Sequence, residues 1–140
     1  MSDMTLSGVA LEKARSTKST YKSIFGLILA FELIIALALL FIPHYVLDIL
    51  GMTHIGAEMW LQILAGIWLI LLLYQFAARR QPLLSRYPNI INVIGRFGLA
   101  ILLVCVGGYF LYGAIYFLVT ALILYILFRR MIIGELQTRP

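Results

Sequence analysis

The 140-residue chain is far more apolar than a soluble domain of its length. Hydrophobic residues make up 63% of the chain and charged residues 12%, whereas soluble domains average about 45–50% and about 25%. A water-soluble fold of this size cannot bury so much apolar surface, so the composition excludes a soluble globular protein. Taken alone, the net charge of +5 would suggest a nucleic-acid partner, but the basic residues flank the apolar segments and no such partner is expected.

Four nearly uncharged segments are each long enough to cross a bilayer, which takes about 20 residues. They comprise residues 23–42, 60–78, 90–108 and 111–128. The first is longer than the apolar region of a signal peptide, about 7 to 15 residues, and is followed by Pro43 instead of a small-residue cleavage site. We interpret it as an uncleaved span. The pattern predicts an all-α, polytopic membrane protein folded as an antiparallel bundle of four transmembrane helices.

Lysines and arginines occur in three groups: before the first span, between the second and third, and after the fourth. The groups comprise Lys13, Arg15, Lys18, Lys22, Arg79, Arg80, Arg86, Arg129, Arg130 and Arg139. The two remaining connections contain neither residue type. Because short connections rich in lysine and arginine stay in the cytoplasm, the pattern predicts that both termini are cytoplasmic. The cytoplasmic segments are then residues 1–22 and 129–140.

The first 20 residues are polar, with a few apolar positions such as Leu6 and Val9. They are compatible with two structures. One is a short helix on the inner leaflet, where each basic residue would favour anionic lipid by about 1 kcal/mol. The other is a solvated, disordered tail.

The connection at residues 43–59 is predicted to form an amphipathic outer loop. Pro43 should end or kink the first helix, because proline has no backbone N–H and clashes with the preceding turn. Apolar residues then surround Asp48, and Gly51 follows them, which predicts a short helix at the outer interface. These apolar residues are Tyr45, Val46, Leu47, Ile49 and Leu50.

The same loop contains the only histidines of the chain, each four residues before an acid. His44 precedes Asp48, and His54 precedes Glu58. If both stretches are helical, each pair presents an imidazole and a carboxylate on one face, and two such pairs could hold a divalent metal. The alternative is that these are ordinary polar side chains of a hydrated interface. No cofactor is indicated, and a single cysteine excludes an intramolecular disulfide.

Small residues are predicted to mark the turn between the last two spans and the contacts between helices. Gly107, Gly108 and Gly113 permit a tight turn that would join these spans as a hairpin. Within the spans, small residues allow the close approach on which helix association in lipid depends. They are Gly26, Ala30, Ala65, Gly66, Gly95, Gly98 and Ala100.

Two opposite charges lie at similar depth inside the apolar segments. Glu32 is nine residues from the start of its span at position 23, and Arg96 is six residues from the start of its span at position 90. A charge at the bilayer centre costs about 2.5–3.5 kcal/mol on insertion scales, so we predict that these side chains face each other.

Further polar residues extend this pair into a predicted intramembrane cluster that opens toward the cytoplasm. Asn89 and Asn92 share one helical stripe with Arg96, and Gln75 lies at the depth of Asn92. Two interpretations remain open. The cluster is either a site for a proton, an ion or an anionic ligand, or a structural ion pair that fixes the register of the helices.

The aromatic residues of the spans also have two interpretations. They form either an interfacial belt with packing contacts or a pocket for an aromatic ligand. The set is Trp68, Tyr74, Tyr109, Tyr112, Tyr116 and Tyr125. Within it, Tyr109, Tyr112 and Tyr116 share a face with Thr120 that could line an outward cleft.

Three stretches, FELIIALALLFIPHYVLDILG, LQILAGIWLILLLYQ and NVIGRFGLAILLV, give the chain a layout that resembles the small four-helix bacterial membrane proteins of the DoxX-like and BphX-like group. The shared layout is a span, a proline, an amphipathic turn ending in Leu-Gly, and three further spans with an arginine early in the third. The resemblance implies the bacterial inner (cytoplasmic) membrane and an accessory role beside other enzymes. It supplies no catalytic residue.

Three functions are compatible with the sequence. The first is a non-enzymatic membrane component, an accessory subunit or interaction protein of a larger membrane system. The second is a small transporter or channel that uses Glu32 and Arg96, and the third is a redox helper or enzyme with an outer His and acid site. The chain contains none of the common catalytic or phosphate-binding motifs, which favours the first. Expected partners are the lipid bilayer and either another protein or further copies of the chain.

Overall fold

A computed structural model describes residues 2–49, 51, 57–80, 82, 86–108 and 110–137. These residues form five α-helices, namely α1 (Ser2–Phe41), α2 (Pro43–Ile49), α3 (Ala57–Arg80), α4 (Arg86–Val106) and α5 (Phe110–Gln137). All but α2 are long and apolar enough to cross a membrane. The prediction of an all-α protein with four helices of membrane-spanning length is confirmed.

Helix α1 differs from the prediction at its amino-terminal end. It begins at Ser2 and runs for 40 residues, about 60 Å, so neither a separate surface helix nor a disordered tail describes this segment. The added length packs against the end of α5, where a Cβ on Gly134 would lie 3.6 Å from Cα of Ala14. A neighbouring helix thus supports the amino-terminal part of α1, whose own composition favours a helix only weakly. Most of the stability of helices in proteins comes from such tertiary packing.

The short helix predicted after Pro43 forms. Helix α1 ends at Phe41, and Pro43 begins α2, where its missing N–H and fixed φ suit a first helical position. Pro43 and Leu47 are buried, whereas Ile49 is 80% exposed, so one face of α2 packs inward and the other carries an exposed apolar residue. Gly51 follows with a φ of 66°, the left-handed conformation that commonly ends a helix.

The turn between α4 and α5 is confirmed at two of its three predicted glycines. Gly107 and Gly108 have φ values of 74° and 59°, which residues with a Cβ rarely adopt. Gly113 instead lies inside α5, where an added Cβ would come within 3.2 Å of Leu103. Its role is therefore close packing of α5 against α4.

Small residues mark only some of the helix contacts. Ala65 is fully buried, and a Cβ on Gly26 would meet the Arg79 side chain at 2.5 Å, as expected for contact positions. Gly66, Gly95 and Gly98 do not fit the prediction, because a Cβ at any of these positions would have no neighbour within 4 Å. Gly95 and Gly98 are exposed on α4.

The interior combines one aromatic cluster with a polar layer. Tyr21 and Phe25 of α1 pack with Phe128 of α5, and the Tyr21 ring lies 5.6 Å and 6.0 Å from the other two rings. Leu29 continues this packing toward Glu32, the first charged residue inside α1 beyond the cluster. Elsewhere the helices present apolar surface outward, since only 17% to 28% of each span's most apolar stretch is buried.

Candidate functional site

Glu32 of α1 and Arg96 of α4 form a buried ion pair, as predicted. Their side chains are 1% and 3% exposed. Arg96 Nη1 donates to Oε1 of Glu32, and Arg96 Nη2 donates to Oε2 at 3.0 Å. This bidentate geometry matches the planar guanidinium to the carboxylate and is the strongest form of such a pair.

Every N–H group of the Arg96 guanidinium has an acceptor. Besides the two bonds to Glu32, Nη1 donates to Thr120 Oγ1, Nη2 to Gln75 Oε1 and Nε to Asn92 Oδ1, each at 3.2 Å. A guanidinium carries five N–H donors, and all five are used. The acceptors come from α1, α3, α4 and α5, so one side chain joins the four long helices.

Two residues of α5 complete the network, and sequence reasoning assigned them elsewhere. Tyr116 donates its hydroxyl to Glu32 Oε1 at 3.3 Å, and Thr120 accepts from Arg96 while donating to the Tyr116 carbonyl at 2.9 Å. Of the two interpretations of these residues, these contacts favour packing inside the bundle over an outward cleft. Their shared helical face was visible in the sequence, but the helix that this face meets was not. Glu32, Gln75, Asn92, Arg96, Tyr116 and Thr120 are called the polar centre below.

Asn89 is not part of the polar centre. It is buried and accepts a hydrogen bond from the Tyr21 hydroxyl at 2.9 Å, and its Nδ2 donates to the Pro82 carbonyl at 3.2 Å. It lies seven residues before Arg96, about 10 Å along the helix, which separates it from the ion pair. The predicted cluster therefore divides into the polar centre and a second contact that ties α1 to the start of α4.

Because every N–H group of Arg96 is bonded within the protein, disrupting the polar centre should cost substantial folding free energy. Removing one partner of a buried ion pair costs about 3–5 kcal/mol, because the remaining charge is left buried and unpaired. Networks whose donors are all satisfied are also rigid, since each bond restricts the geometry of its neighbours. The arrangement is suited to holding four helices in one register.

A cavity of about 180 Å³ borders the polar centre on one side, between α3 and α4. Its lining residues are Glu32, Trp68, Leu71, Tyr74, Gln75, Pro88, Ile91, Asn92, Gly95, Arg96, Leu99 and Phe117. Leu71, Tyr74 and Ile91 are at least half exposed, so the cavity opens sideways through the surface of the bundle. Of the predicted aromatic set, Trp68 and Tyr74 line this cavity, and Trp68 packs on Phe117 with ring centroids 5.9 Å apart.

His44 pairs with Glu58 and not with Asp48, the acid four residues after it. His44 Nδ1 lies 2.8 Å from Oε1 of Glu58, so α2 is joined to α3 instead of His44 to Asp48 within α2. This occurs because α2 packs beside the start of α3, which spacing along one helix does not reveal. His54 and Tyr109 lie outside the described residues. In the described part of the chain, no three His, Cys, Asp or Glu side chains group together, and the metal site stays a prediction.

The chain matches no protein-family model, no curated protein sequence and no solved structure. The resemblance to the DoxX-like and BphX-like group therefore stays a prediction.

Proposed function

We propose that the protein is a non-enzymatic integral membrane component, an accessory subunit or interaction partner within a larger membrane system. The observation that carries this proposal is the saturation of Arg96 by acceptors on four helices. An arginine that takes up an anionic solute must release some of its acceptors. Here that release would leave Glu32 buried with reduced pairing, at a cost approaching the 3–5 kcal/mol of a broken buried pair.

In this proposal the helices form an antiparallel bundle in a bacterial inner membrane, with both termini in the cytoplasm. Contacts among the basic residues support the orientation. Lys22 Nζ donates to the Arg80 carbonyl at 2.9 Å, and Arg79 Nε donates to the Lys22 carbonyl at 2.6 Å. Arg86 lies 3.6 Å from Glu135 near the end of α5. These basic residues therefore share one end of the bundle, as the preference of lysine and arginine for the cytoplasmic side requires.

The outer surface of α4 supports a role in protein interaction. Gly95 and Gly98 lie one helical turn apart and are open to the outside, with no atom near the position of a Cβ. Small residues on one side of a helix let another helix approach closely in lipid. An outer surface made only of large aliphatic side chains would favour contact with lipid over contact with another helix.

Native mass spectrometry of the protein, extracted gently from its own membranes, tests the proposal. The expected result is a reproducible complex with a second protein. Gly98→Leu should weaken this complex, because the larger side chain blocks the open face of α4. Gly66→Leu is the matched control, since Gly66 on α3 is equally unhindered and should leave the complex intact.

A different outcome would contradict the accessory role. It is a lone monomer or homo-oligomer that, reconstituted in liposomes, conducts a solute whose flux Glu32→Gln abolishes. That result would assign the polar centre to transport.

A further inference from the structure

Two side-chain amides of the polar centre have NH₂ groups that donate to no described protein acceptor. Asn92 and Gln75 each use their side-chain oxygen to accept from Arg96. Because the guanidinium only donates, the amide oxygens must face it and the NH₂ groups must face elsewhere. Within the described chain, neither Asn92 Nδ2 nor Gln75 Nε2 donates to a protein acceptor. Both residues line the cavity between α3 and α4.

The two amides lie side by side because they bond to the same guanidinium. Arg96 therefore does more than join the helices, since it fixes the orientation of two donors at the edge of an otherwise apolar space. The apolar walls include Trp68, Leu71 and Phe117. Sites for small molecules commonly combine such walls with a few placed polar groups that determine orientation.

The charges at the cavity favour a neutral ligand. Glu32 and Arg96 are formally −1 and +1, so the polar wall carries no net charge. An anion would find no free guanidinium N–H, because all five are bonded within the protein. A ligand that accepts hydrogen bonds without carrying a charge meets both conditions.

The size of the cavity fits an aromatic or short aliphatic group. Its volume is about 180 Å³. A buried apolar cavity of about 150 Å³ is enough to hold benzene. The sideways opening between Leu71 and Ile91 gives entry from the surrounding apolar phase instead of from water.

We propose that this cavity binds a neutral, lipid-soluble carbonyl compound whose oxygen accepts hydrogen bonds from the Asn92 and Gln75 amides. The depth of these amides favours a free compound over the ester carbonyl of a phospholipid. Asn92 is six residues from Arg86 at the start of α4, and Gln75 is five residues from Arg80 at the end of α3. The amides are about 7–9 Å inside the helix ends, and both bond to Arg96, which lies six residues, about 9 Å, inside its predicted span, whereas phospholipid esters lie at the interface. The inference does not depend on the accessory role.

The test is a titration of ¹⁵N-labelled protein in dodecyl maltoside, a detergent without carbonyl groups, followed by ¹H–¹⁵N NMR. The probes are acetophenone and ethylbenzene, in which a CH₂ group replaces the carbonyl. Asn92→Asp and Gln75→Glu identify the two side-chain NH₂ signals by removing them. Acetophenone should shift both signals in a saturable manner. At equal mole fraction in the micelle, ethylbenzene should bind about thirtyfold more weakly, which is the effect of two hydrogen bonds of about 1 kcal/mol each.

Matched glycine variants separate cavity binding from general partitioning. Gly95 lines the cavity and has open space beside it, so Gly95→Leu should fill the cavity and abolish the response. Gly98 is equally unhindered but does not line the cavity, and Gly98→Leu should respond as the unchanged protein does. Equal affinity for the two probes, or an equal response of the two leucine variants, would overturn the proposal.

The same titration in phosphatidylcholine nanodiscs distinguishes the source of the carbonyl. If acetophenone still shifts the two NH₂ signals, a free carbonyl compound binds in the presence of excess lipid ester, as proposed. If both signals are already displaced in the nanodisc and no longer respond, phospholipid esters occupy the cavity. That outcome would overturn the assignment to a free compound.

Discussion

The polar centre and the outer pair, His44 and Glu58, show how differently two polar contacts can contribute to one protein. Glu32 and Arg96 are 1% and 3% exposed and meet through two hydrogen bonds, with three further acceptors around the arginine. His44 and Glu58 are 72% and 39% exposed and meet through one contact of 2.8 Å. Burial makes the first pair costly to break, whereas water and ions replace the interactions of the second. The comparison predicts a graded series of mutational effects.

The largest effect is expected when the buried pair loses one member. Glu32→Leu leaves Arg96 buried without its carboxylate and should lower the free energy of unfolding by about 3–5 kcal/mol. Adding Arg96→Leu should restore part of this loss, because the second change removes the unpaired charge. Reversible unfolding in mixed dodecyl maltoside and dodecyl sulfate micelles measures both. Equal stability of the single and double variants would show that the remaining charge reaches water.

A smaller loss is expected from Thr120→Val, which keeps the shape of the side chain and removes one acceptor from Arg96 Nη1. A buried donor left without a partner costs about 1–3 kcal/mol. The same unfolding measurement should find a loss in this range. Val119→Thr is a useful control, since Val119 is exposed on the same helix and the change should have little effect.

Tyr116→Phe should cost about 1 kcal/mol, because it removes one hydrogen bond of 3.3 Å and leaves Glu32 with both bonds to Arg96. Stability measured beside Tyr112→Phe provides the comparison, since Tyr112 is 76% exposed. A loss as large as that of Glu32→Leu would mean that Tyr116, and not Arg96, is the main partner of the carboxylate.

The smallest effect is expected at the outer pair. Glu58→Gln should change the free energy of unfolding by about 0–1 kcal/mol, because both side chains are exposed, and any part of the difference that comes from charge should shrink as salt is raised. Stability at low and high salt checks this. A loss of several kcal/mol that is independent of salt would indicate that the outer pair is shielded from water.

The sequence predicted four of the six residues of the polar centre, namely Glu32, Gln75, Asn92 and Arg96. The cost of a charge in lipid and the similar depth of Glu32 and Arg96 were sufficient to pair them. Depth also placed Gln75 and Asn92 nearby. Tyr116 and Thr120 were missed because depth does not reveal which way α5 faces. Asn89 was included wrongly because a shared helical stripe does not decide which neighbour each residue along it meets.

Predictions elsewhere failed where a second helix determines the outcome. The amino-terminal part of α1 is continuous because α5 extends beside it at Gly134, which the composition of either segment does not show. The pairing of His44 with Glu58 depends on how α2 lies against α3. By contrast, Pro43 and the glycines of the α4–α5 turn act through their own backbone geometry, and these features were predicted correctly.

NMR of the arginine side chains tests whether Arg96 is held by five hydrogen bonds within the protein. In protein labelled with ¹⁵N-arginine, the guanidinium signals of Arg96 are identified by their loss in Arg96→Lys. Slow rotation about its C–N bonds is expected, with separate Nη–H signals that exchange slowly with water. Averaged Nη–H signals that exchange rapidly with water would refute the five-bond arrangement and show an arginine free to bind a solute.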